Sequence, residues 1–189
     1  PTRRSSDLRL ARAGFALVSR TVGGSFTGAV YDRAMVDGQQ AGPNFGSFWN
    51  EVLVPKFLAY RHTLVDGLTR HSDRARSSID VAAGDRVVDV GCGFGDTAIE
   101  LARRVGPRGE VVGIDCCDAF LAIAREDAAS RGVDNARFVL GDAQDHPLPA
   151  DCDLCFSRFG TMFFDSPVAG LRNMRRALAR GGRLAMVVW

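Results

Sequence analysis

One stretch of twelve residues limits the possible folds more than any other part of the chain. Residues 86–97 read RVVDVGCGFGDT, in which an apolar, valine-rich run is followed by glycines at two-residue spacing. Such β-branched runs are typical of a strand buried on both faces, and glycine lets the backbone turn sharply or approach a ligand. Helical periodicity begins at Thr97 and stops at Gly106. The stretch therefore predicts a strand, a glycine turn and a helix N-terminus, an arrangement that can cradle a nucleotide-type ligand.

The rest of the C-terminal half repeats this alternation of strand and helix. Apolar runs predict strands near 110–115, 137–140, 153–157 and 183–189, and helical spacing predicts helices near 119–131 and 167–179. Alternating strands and helices indicate an α/β fold with a Rossmann-like, doubly wound parallel sheet.

The N-terminal part, residues 9–84, is interpreted as a helical cover and linker preceding a domain over 85–189. Apolar residues recur at helical spacing from Phe45 to His71, whereas 9–46 allow no assignment. Residues 1–8 (PTRRSSDL) match a translated sequencing adapter and are expected to be non-native. Because the chain stops at Trp189 inside a predicted strand, we expect an internal fragment whose fifth strand lacks an outer neighbour.

Ligands of doubly wound sheets bind beyond the carboxyl ends of the strands, so the residues just after each strand are candidate site residues. Asp115 follows the second predicted strand and can accept hydrogen bonds from two ribose hydroxyls. Asp142 follows the third and can accept one from an adenine amino group. A lone aspartate at a strand end can equally be a helix N-cap, but two of them beside a glycine turn favour a nucleoside site.

Four segments resemble motifs of the class I S-adenosylmethionine-dependent methyltransferases, closest to the ubiquinone/menaquinone-biosynthesis type. Residues 87–95 (VVDVGCGFG) resemble the first motif, 112–115 (VGID) the second, and 141–143 (GDA) the segment that contacts adenine. Residues 176–184 (RALARGGRL) resemble the turn before the fifth strand, although Arg180 stands where proline is usual.

The resemblance implies strand order 3-2-1-4-5, S-adenosyl-L-methionine as cofactor and methyl transfer to a small-molecule acceptor, with further strands after the fifth. Asp89 and the backbone of Gly91 and Gly93 would hold the methionine end of the cofactor. Asp115 would bind the ribose with Cys116 beside the adenine. The remaining implied cofactor-binding residues are Cys92, Gly95, Asp142 and Ala143, with Ser157 and Arg158 lining the methyl-transfer site.

No catalytic base can be chosen from the sequence. The residues whose chemistry would allow proton removal are His62, His71, His146, Tyr31, Tyr60 and Asp165. Two further sets are open. Phe156, Phe159, Phe163 and Phe164 could wall an apolar acceptor pocket or pack in the core. Phe45, Phe48, Trp49 and Tyr60 are interpreted, by analogy with the family, as a cover over the cofactor.

Two alternatives to a methyltransferase remain: a nicotinamide-dependent oxidoreductase and a non-catalytic domain with the same fold. The dinucleotide fingerprint Gly-x-Gly-x-x-Gly is not matched, since Asp96 occupies its third glycine position, and an acid there would repel a pyrophosphate.

A net charge of +2 without a concentrated basic face does not indicate nucleic-acid binding. The absence of a long apolar run and the spacing of the cysteines predict a cytoplasmic protein with reduced thiols. Cys152 and Cys155 would point to opposite faces of a strand, so no metal site is expected.

Overall fold

The computed structural model describes residues 15–19, 49–63, 65, 67 and 79–188. The proposed adapter residues 1–8 lie outside this part of the chain, as do Tyr31, Phe45, Phe48 and His71. The division of the chain after residues 8 and 84 therefore stays a prediction.

The described residues form six strands, four α-helices and a further helical stretch at residues 61–63, 65 and 67. The strands are β1 (Phe15–Ser19), β2 (Arg86–Val90), β3 (Glu110–Asp115), β4 (Ala136–Leu140), β5 (Cys152–Arg158) and β6 (Leu178–Val188). The helices are α1 (Val54–Ala59), α2 (Asp96–Val105), α3 (Asp118–Ser130) and α4 (Pro167–Ala177). A π-helical turn (Trp49–Leu53) precedes α1, which begins next to Pro55, and a 3₁₀ turn (Thr161–Phe163) follows β5.

All neighbouring strands are parallel, and their order is β1-β6-β5-β2-β3-β4. Strands β2 to β6 are the five predicted from the sequence, so the predicted order 3-2-1-4-5 is confirmed. The chain reverses its direction across the sheet at β2, which pairs with β3 on one side and β5 on the other. This switch point is where a ligand site is expected.

The expectation that the fifth strand has no outer neighbour is wrong. Strand β1 pairs with β6 in parallel, with Phe15 opposite Leu184 and Ser19 opposite Val188. It lies within the segment 9–84 that the sequence pattern suggested to be a helical cover. An outer strand hydrogen-bonds the backbone groups that an open edge would leave to solvent.

Both faces of the sheet are covered by helices, as the valine run of β2 requires. Val87 belongs to an apolar cluster with residues of α2 such as Ile99, whereas Val88 belongs to a second cluster with Met174 and Ala177 of α4. Val87 and Val88 are respectively 1% and 0% exposed. Full burial of a valine stabilises a fold by roughly 1.5–3 kcal/mol, so this strand anchors the residues that follow it.

The glycine pair before the last strand is not a turn between elements, as the sequence suggested, but an irregularity inside β6. Cys152 pairs with Leu178 and Leu154 with Arg183, so several residues of β6 lie opposite a single residue of β5. The extra residues of β6 have no partners on β5 at this point. Cys152 and Cys155 are both in the cluster under α4, and the expectation that they face opposite sides of the sheet is wrong.

Candidate functional site

The loop between β2 and α2 is built on left-handed glycines. Gly91 has φ +68°, and a Cβ placed on it would lie 2.7 Å from the Cα of Gly160, in the loop after β5. The carboxyl ends of β2 and β5 therefore pack backbone against backbone. Gly93 has φ +54°, but a Cβ on it would meet nothing within 4 Å. Gly91 therefore has no room for a side chain, whereas Gly93 faces open space.

A cavity of about 270 Å³ lies at this end of the sheet, where the switch point places it. The loops after β2, β3, β4 and β5 line it together with residues of the N-terminal helical segment. Its polar lining includes four carboxylates and one cation, namely Asp89, Asp96, Asp115, Asp142 and Arg158. Its aromatic lining is Phe57, Phe94, Phe120, Phe159, Phe163 and Phe164.

Asp115 ties the glycine loop to the end of β3. Its Oδ2 accepts a hydrogen bond from the Gly93 N–H at 2.9 Å, and its Oδ1 accepts one from the Cys117 N–H at 3.0 Å. Burial raises the pKa of this carboxyl, while hydrogen bonds from the backbone N–H groups of Gly93, Cys117 and Cys116 oppose the rise. Each carboxylate oxygen has a second lone pair, so the group can still accept hydrogen bonds from a ligand.

Asp89, near the end of β2, is 1% exposed, and its Oδ2 has no hydrogen-bond partner among the described residues. Burial raises the pKa of this carboxyl to about 7; the positive charge of Arg158 opposes the rise and the negative charge of Asp115 adds to it. The N–H of Ala98 in α2 also donates to the carboxyl. A buried carboxyl with an unused oxygen at the wall of a cavity is suited to a ligand that donates a hydrogen bond or carries positive charge.

Asp142 and Ala143 form the side of the cavity after β4. Asp142 Oδ1 accepts hydrogen bonds from the backbone N–H and the side-chain amide of Gln144, at 2.9 and 3.1 Å. The Gln144 side chain in turn accepts from the Ser166 N–H at 2.6 Å. This chain of bonds fixes the carboxylate beside the buried Ala143, although Asp142 is itself exposed to solvent.

Both cysteines that line the cavity, Cys92 and Cys116, are held as neutral thiols. Burial, with the charge of Asp115 as a second cause, raises the pKa of Cys116 to about 11 and that of Cys92 well above its ordinary value. None of the five cysteines, all of which lie in the described part of the chain, forms a disulfide. The described residues contain no group of three or more His, Cys, Asp or Glu side chains that could hold a metal.

Two of the residues that the resemblance placed in the site lie behind it. Ser157 is fully buried, and its Oγ donates to the Val90 carbonyl at 2.8 Å, joining the ends of β5 and β2. A Cβ on Gly95 would meet Ala124 of α3 at 2.7 Å. Neither Ser157 nor Gly95 is among the cavity-lining residues, whereas Arg158 is.

The N-terminal helical segment covers one side of the cavity through residues that the sequence pattern did not single out. Phe57 lines the cavity and its ring centroid lies 5.9 Å from that of Phe120. Arg61 bonds Asp127 of α3, and its guanidinium lies 4.8 Å from the Phe94 ring centroid. Phe57 belongs to the helical apolar pattern of the sequence, and this pattern was the one signal that its side chain faces the interior.

Several residues that were selected for the cover and for catalysis, and that the structure describes, lie outside the cavity. Tyr60 is 63% exposed, and Trp49 lies in the π-helical turn. His62, Tyr60, His146 and Asp165 do not line the cavity. Phe156 is buried in the core, whereas the other three phenylalanines of its set line the cavity.

Comparison with known proteins agrees with this geometry. A family model described as "Methyltransferase domain" matches residues 87–182, just over half of the chain. The chain therefore belongs to the class I S-adenosylmethionine-dependent methyltransferases, as the resemblance implied. Within that class it is close to the ubiquinone/menaquinone-biosynthesis type.

The relatives show how far the likeness extends. The ubiquinone/menaquinone biosynthesis C-methyltransferase UbiE of Pseudomonas putida strain F1 is 38% identical over 109 residues, covering 57% of this chain and 43% of UbiE. Aklanonic acid methyltransferase DauC of Streptomyces sp. strain C5 is 32% identical, covering 63% and 56%. A solved SAM-dependent methyltransferase from Aquifex aeolicus has a TM-score of 0.53 at 25% identity and covers 57% of each chain. The chain thus spans about half the length of the curated relatives it matches.

Proposed function

We propose that this chain binds S-adenosyl-L-methionine and directs its methyl group to a small-molecule acceptor. The observation that carries the proposal is the charge of the cavity wall, where Asp89, Asp115 and Asp142 stand against Arg158, the only cation among the described lining residues. S-adenosylmethionine carries a sulfonium and an ammonium group and no phosphate. A wall of this charge favours such a ligand and disfavours a pyrophosphate.

Three parts of the wall match the three parts of this ligand. Asp115 would accept the ribose hydroxyls with Cys116 beside the adenine, and Asp142 with Ala143 would contact the adenine. The unpartnered Oδ2 of Asp89 can accept from the ligand's ammonium group. Gly93 leaves room for the ligand against the loop, because a side chain there would occupy open space.

The aromatic side of the cavity suits an apolar or aromatic acceptor. Phe159, Phe163 and Phe164 line it next to Arg158, and the names of UbiE and DauC refer to quinone biosynthesis and aklanonic acid. S-adenosylmethionine supplies an already activated methyl group. The residues of this chain then hold and orient the cofactor and the acceptor and exclude water.

The nicotinamide alternative is disfavoured by Asp89 more than by Asp96. The sequence suggested that Asp96 would repel a pyrophosphate, yet its Oδ1 lies 3.7 Å from the guanidinium groups of both Arg61 and Arg131. Those arginines offset its charge. Asp115 and Asp142 can accept hydrogen bonds from the ribose and adenine of either cofactor, so the discrimination rests on Asp89, which lines the cavity beside the glycine loop.

Thermal unfolding of the chain with S-adenosylhomocysteine and, separately, with NADH tests the cofactor. A ligand at about a hundred times its Kd adds about 2.7 kcal/mol of stability by mass action. We expect stabilisation by S-adenosylhomocysteine alone and its loss in Asp115→Ala. Asp118→Ala is the matched control, because Asp118 follows the same strand but is exposed and does not line the cavity. Stabilisation by NADH alone would overturn the proposal.

Turnover separates an enzyme from a non-catalytic binding domain. We expect transfer of a labelled methyl group to members of a panel of hydroquinones and phenols, and binding without transfer to any of them would favour the non-catalytic alternative. We further propose a cytoplasmic protein without a nucleic-acid partner. No helix in the described part of the chain has the length and apolar character needed to cross a membrane.

A further inference from the structure

One loop supplies the positive charge of the cavity wall together with half of its described aromatic rings. Residues 158–164 (RFGTMFF) begin at the end of β5, and Arg158, Phe159, Phe163 and Phe164 all line the cavity. The four carboxylates of the described lining follow β2, β3 and β4 instead. The loop 158–164 is therefore the cationic and aromatic part of a wall that is otherwise acidic.

The backbone at Phe159 directs two consecutive side chains to the same cavity. Successive residues of a strand point to opposite faces, yet Arg158 and Phe159 both line the cavity. Phe159 has φ +60°, in the left-handed region, and its N–H donates to the Val187 carbonyl at 2.8 Å. A residue other than glycine is strained in this conformation, and such strain is found chiefly at ligand and active sites.

The other two rings of the loop form a slot between α4 and solvent. A Cβ on Gly170 of α4 would overlap the ring of Phe164, so this ring packs directly against the helix backbone. Phe163 ends the 3₁₀ turn and is 43% exposed. The slot is thus fixed at Phe164, open to solvent at Phe163 and charged at Arg158.

The charges of the proposed cofactor make this part of the cavity favourable for an anion. The positive charge of Arg158 acts on the Asp89 carboxyl, to which the proposed function assigns the cofactor's ammonium. An ammonium bound to Asp89 offsets that negative charge, and a sulfonium adds positive charge to the same cavity. The electrostatic field then favours an anionic group on the acceptor. Arginine presents paired N–H donors that match the two oxygens of a carboxylate.

We propose that Arg158 and the three phenylalanines of the loop bind an aromatic acceptor that carries a carboxylate. The inference rests on the proposed function and names the class of acceptor within it. A neutral hydroquinone of the same size would fill the slot but offer the guanidinium no charge, so it should bind less tightly.

The test is titration calorimetry with 2-naphthoate and 2-naphthamide, each added to the chain after saturation with S-adenosylhomocysteine. The two probes share one ring system, and only the first is charged. S-adenosylhomocysteine has no sulfonium, so the preference that is measured belongs to the protein. We expect the wild type to bind 2-naphthoate roughly tenfold to a hundredfold more tightly than the amide, the range for hydrogen bonds to a charged group.

Three variants separate the charge from the rings. R158Q should remove the preference for 2-naphthoate and leave the affinity for 2-naphthamide unchanged. F163A should weaken both probes by a similar factor, because it removes apolar contact and no charge. R137Q is the matched control and should keep the wild-type preference, because Arg137 is exposed, pairs with Glu110 and does not line the cavity.

The comparison of the two probes in the wild type does not depend on any variant folding. Equal affinity for the two probes, or binding of neither while S-adenosylhomocysteine binds, would overturn the inference and leave the proposed function standing. If R158Q weakens S-adenosylhomocysteine as much as 2-naphthoate, Arg158 serves the cofactor and the inference is wrong. A wild-type chain that does not bind S-adenosylhomocysteine would overturn both.

Discussion

Three glycine-to-alanine variants separate the packing role of the loop after β2 from its role at the cavity. Gly93 and Gly132 both have positive φ, +54° and +63°, and a Cβ on either would meet nothing within 4 Å. Gly93 lines the cavity, whereas Gly132 lies beyond the end of α3, away from it. Gly91 also has positive φ, but a Cβ there would lie 2.7 Å from a backbone atom of Gly160.

These distances give different stability costs. Forcing alanine into the left-handed region costs about 1–2 kcal/mol, so G93A and G132A should lose about that much. G91A should lose about 1–3 kcal/mol more, the usual range for overpacking, because the obstructing atom belongs to the backbone. For a chain of this length, 1 kcal/mol corresponds to about 2–4 °C in melting temperature.

Denaturant unfolding and a parallel titration with S-adenosylhomocysteine measure the two effects. We expect G93A and G132A to be equally stable, with ligand binding lost in G93A and kept in G132A, because the methyl group of G93A occupies the cavity. G91A should be the least stable of the three. Wild-type affinity in G93A would refute the role assigned to the open space at this glycine. Equal stability of G91A and G132A would refute the backbone-to-backbone packing.

Three further variants test individual side chains. Burial raises the pKa of Asp89 to about 7, whereas the carboxyl of the unfolded chain titrates near pH 4. Between about pH 4 and 7 the folded carboxyl keeps a proton that the unfolded one has lost, so the ligand-free chain should lose stability as the pH rises through this range. Asp89→Asn should flatten this slope in melting scans. Arg61→Met removes the bond to Asp127 and should raise cleavage of residues 54–63 by a protease while costing at most about 1 kcal/mol. Ser157→Ala leaves the Val90 carbonyl without its 2.8 Å donor and should cost about 1–3 kcal/mol in denaturant unfolding.

Each of these has an outcome that contradicts it. An unchanged pH slope in the Asp89 variant would mean that other groups cause the loss of stability. Protease cleavage that does not change in the Arg61 variant would show that the helical segment is held without this arginine. A Ser157 variant as stable as the wild type would mean that water or another donor reaches the carbonyl.

The strands and helices of the C-terminal half were predictable because their signals are local. The valine run of β2, the glycines after it and the helical period from Thr97 each lie within a few residues of one another. The residues that follow parallel strands share one edge of the sheet. For this reason the sequence pattern alone was enough to place Asp115 and Asp142 at the same site.

The features that were missed depend on contacts between distant segments. Nothing in the five residues of β1 indicates that they pair with β6, and the helical period that includes Phe57 does not say which element this side chain meets. The two buried oxygens that have no hydrogen-bond partner among the described residues, on Asp89 and Thr97, are defined by what surrounds them, which a sequence pattern does not record. Pocket residues on a separate segment were therefore less predictable than those on the strand ends.

The pairing of β1 with β6 has a consequence for the order in which the chain folds. The two strands stand near opposite ends of the sequence, with Phe15 opposite Leu184, so this contact closes the longest loop in the sheet. Contacts of such high sequence separation form slowly, and during synthesis β1 emerges long before its partner exists. We expect β1 to join last and to show the fastest amide exchange of the six strands. Until it joins, the edge of β6 is open to strands of other chains, so the yield of folded protein should fall as its concentration during refolding rises.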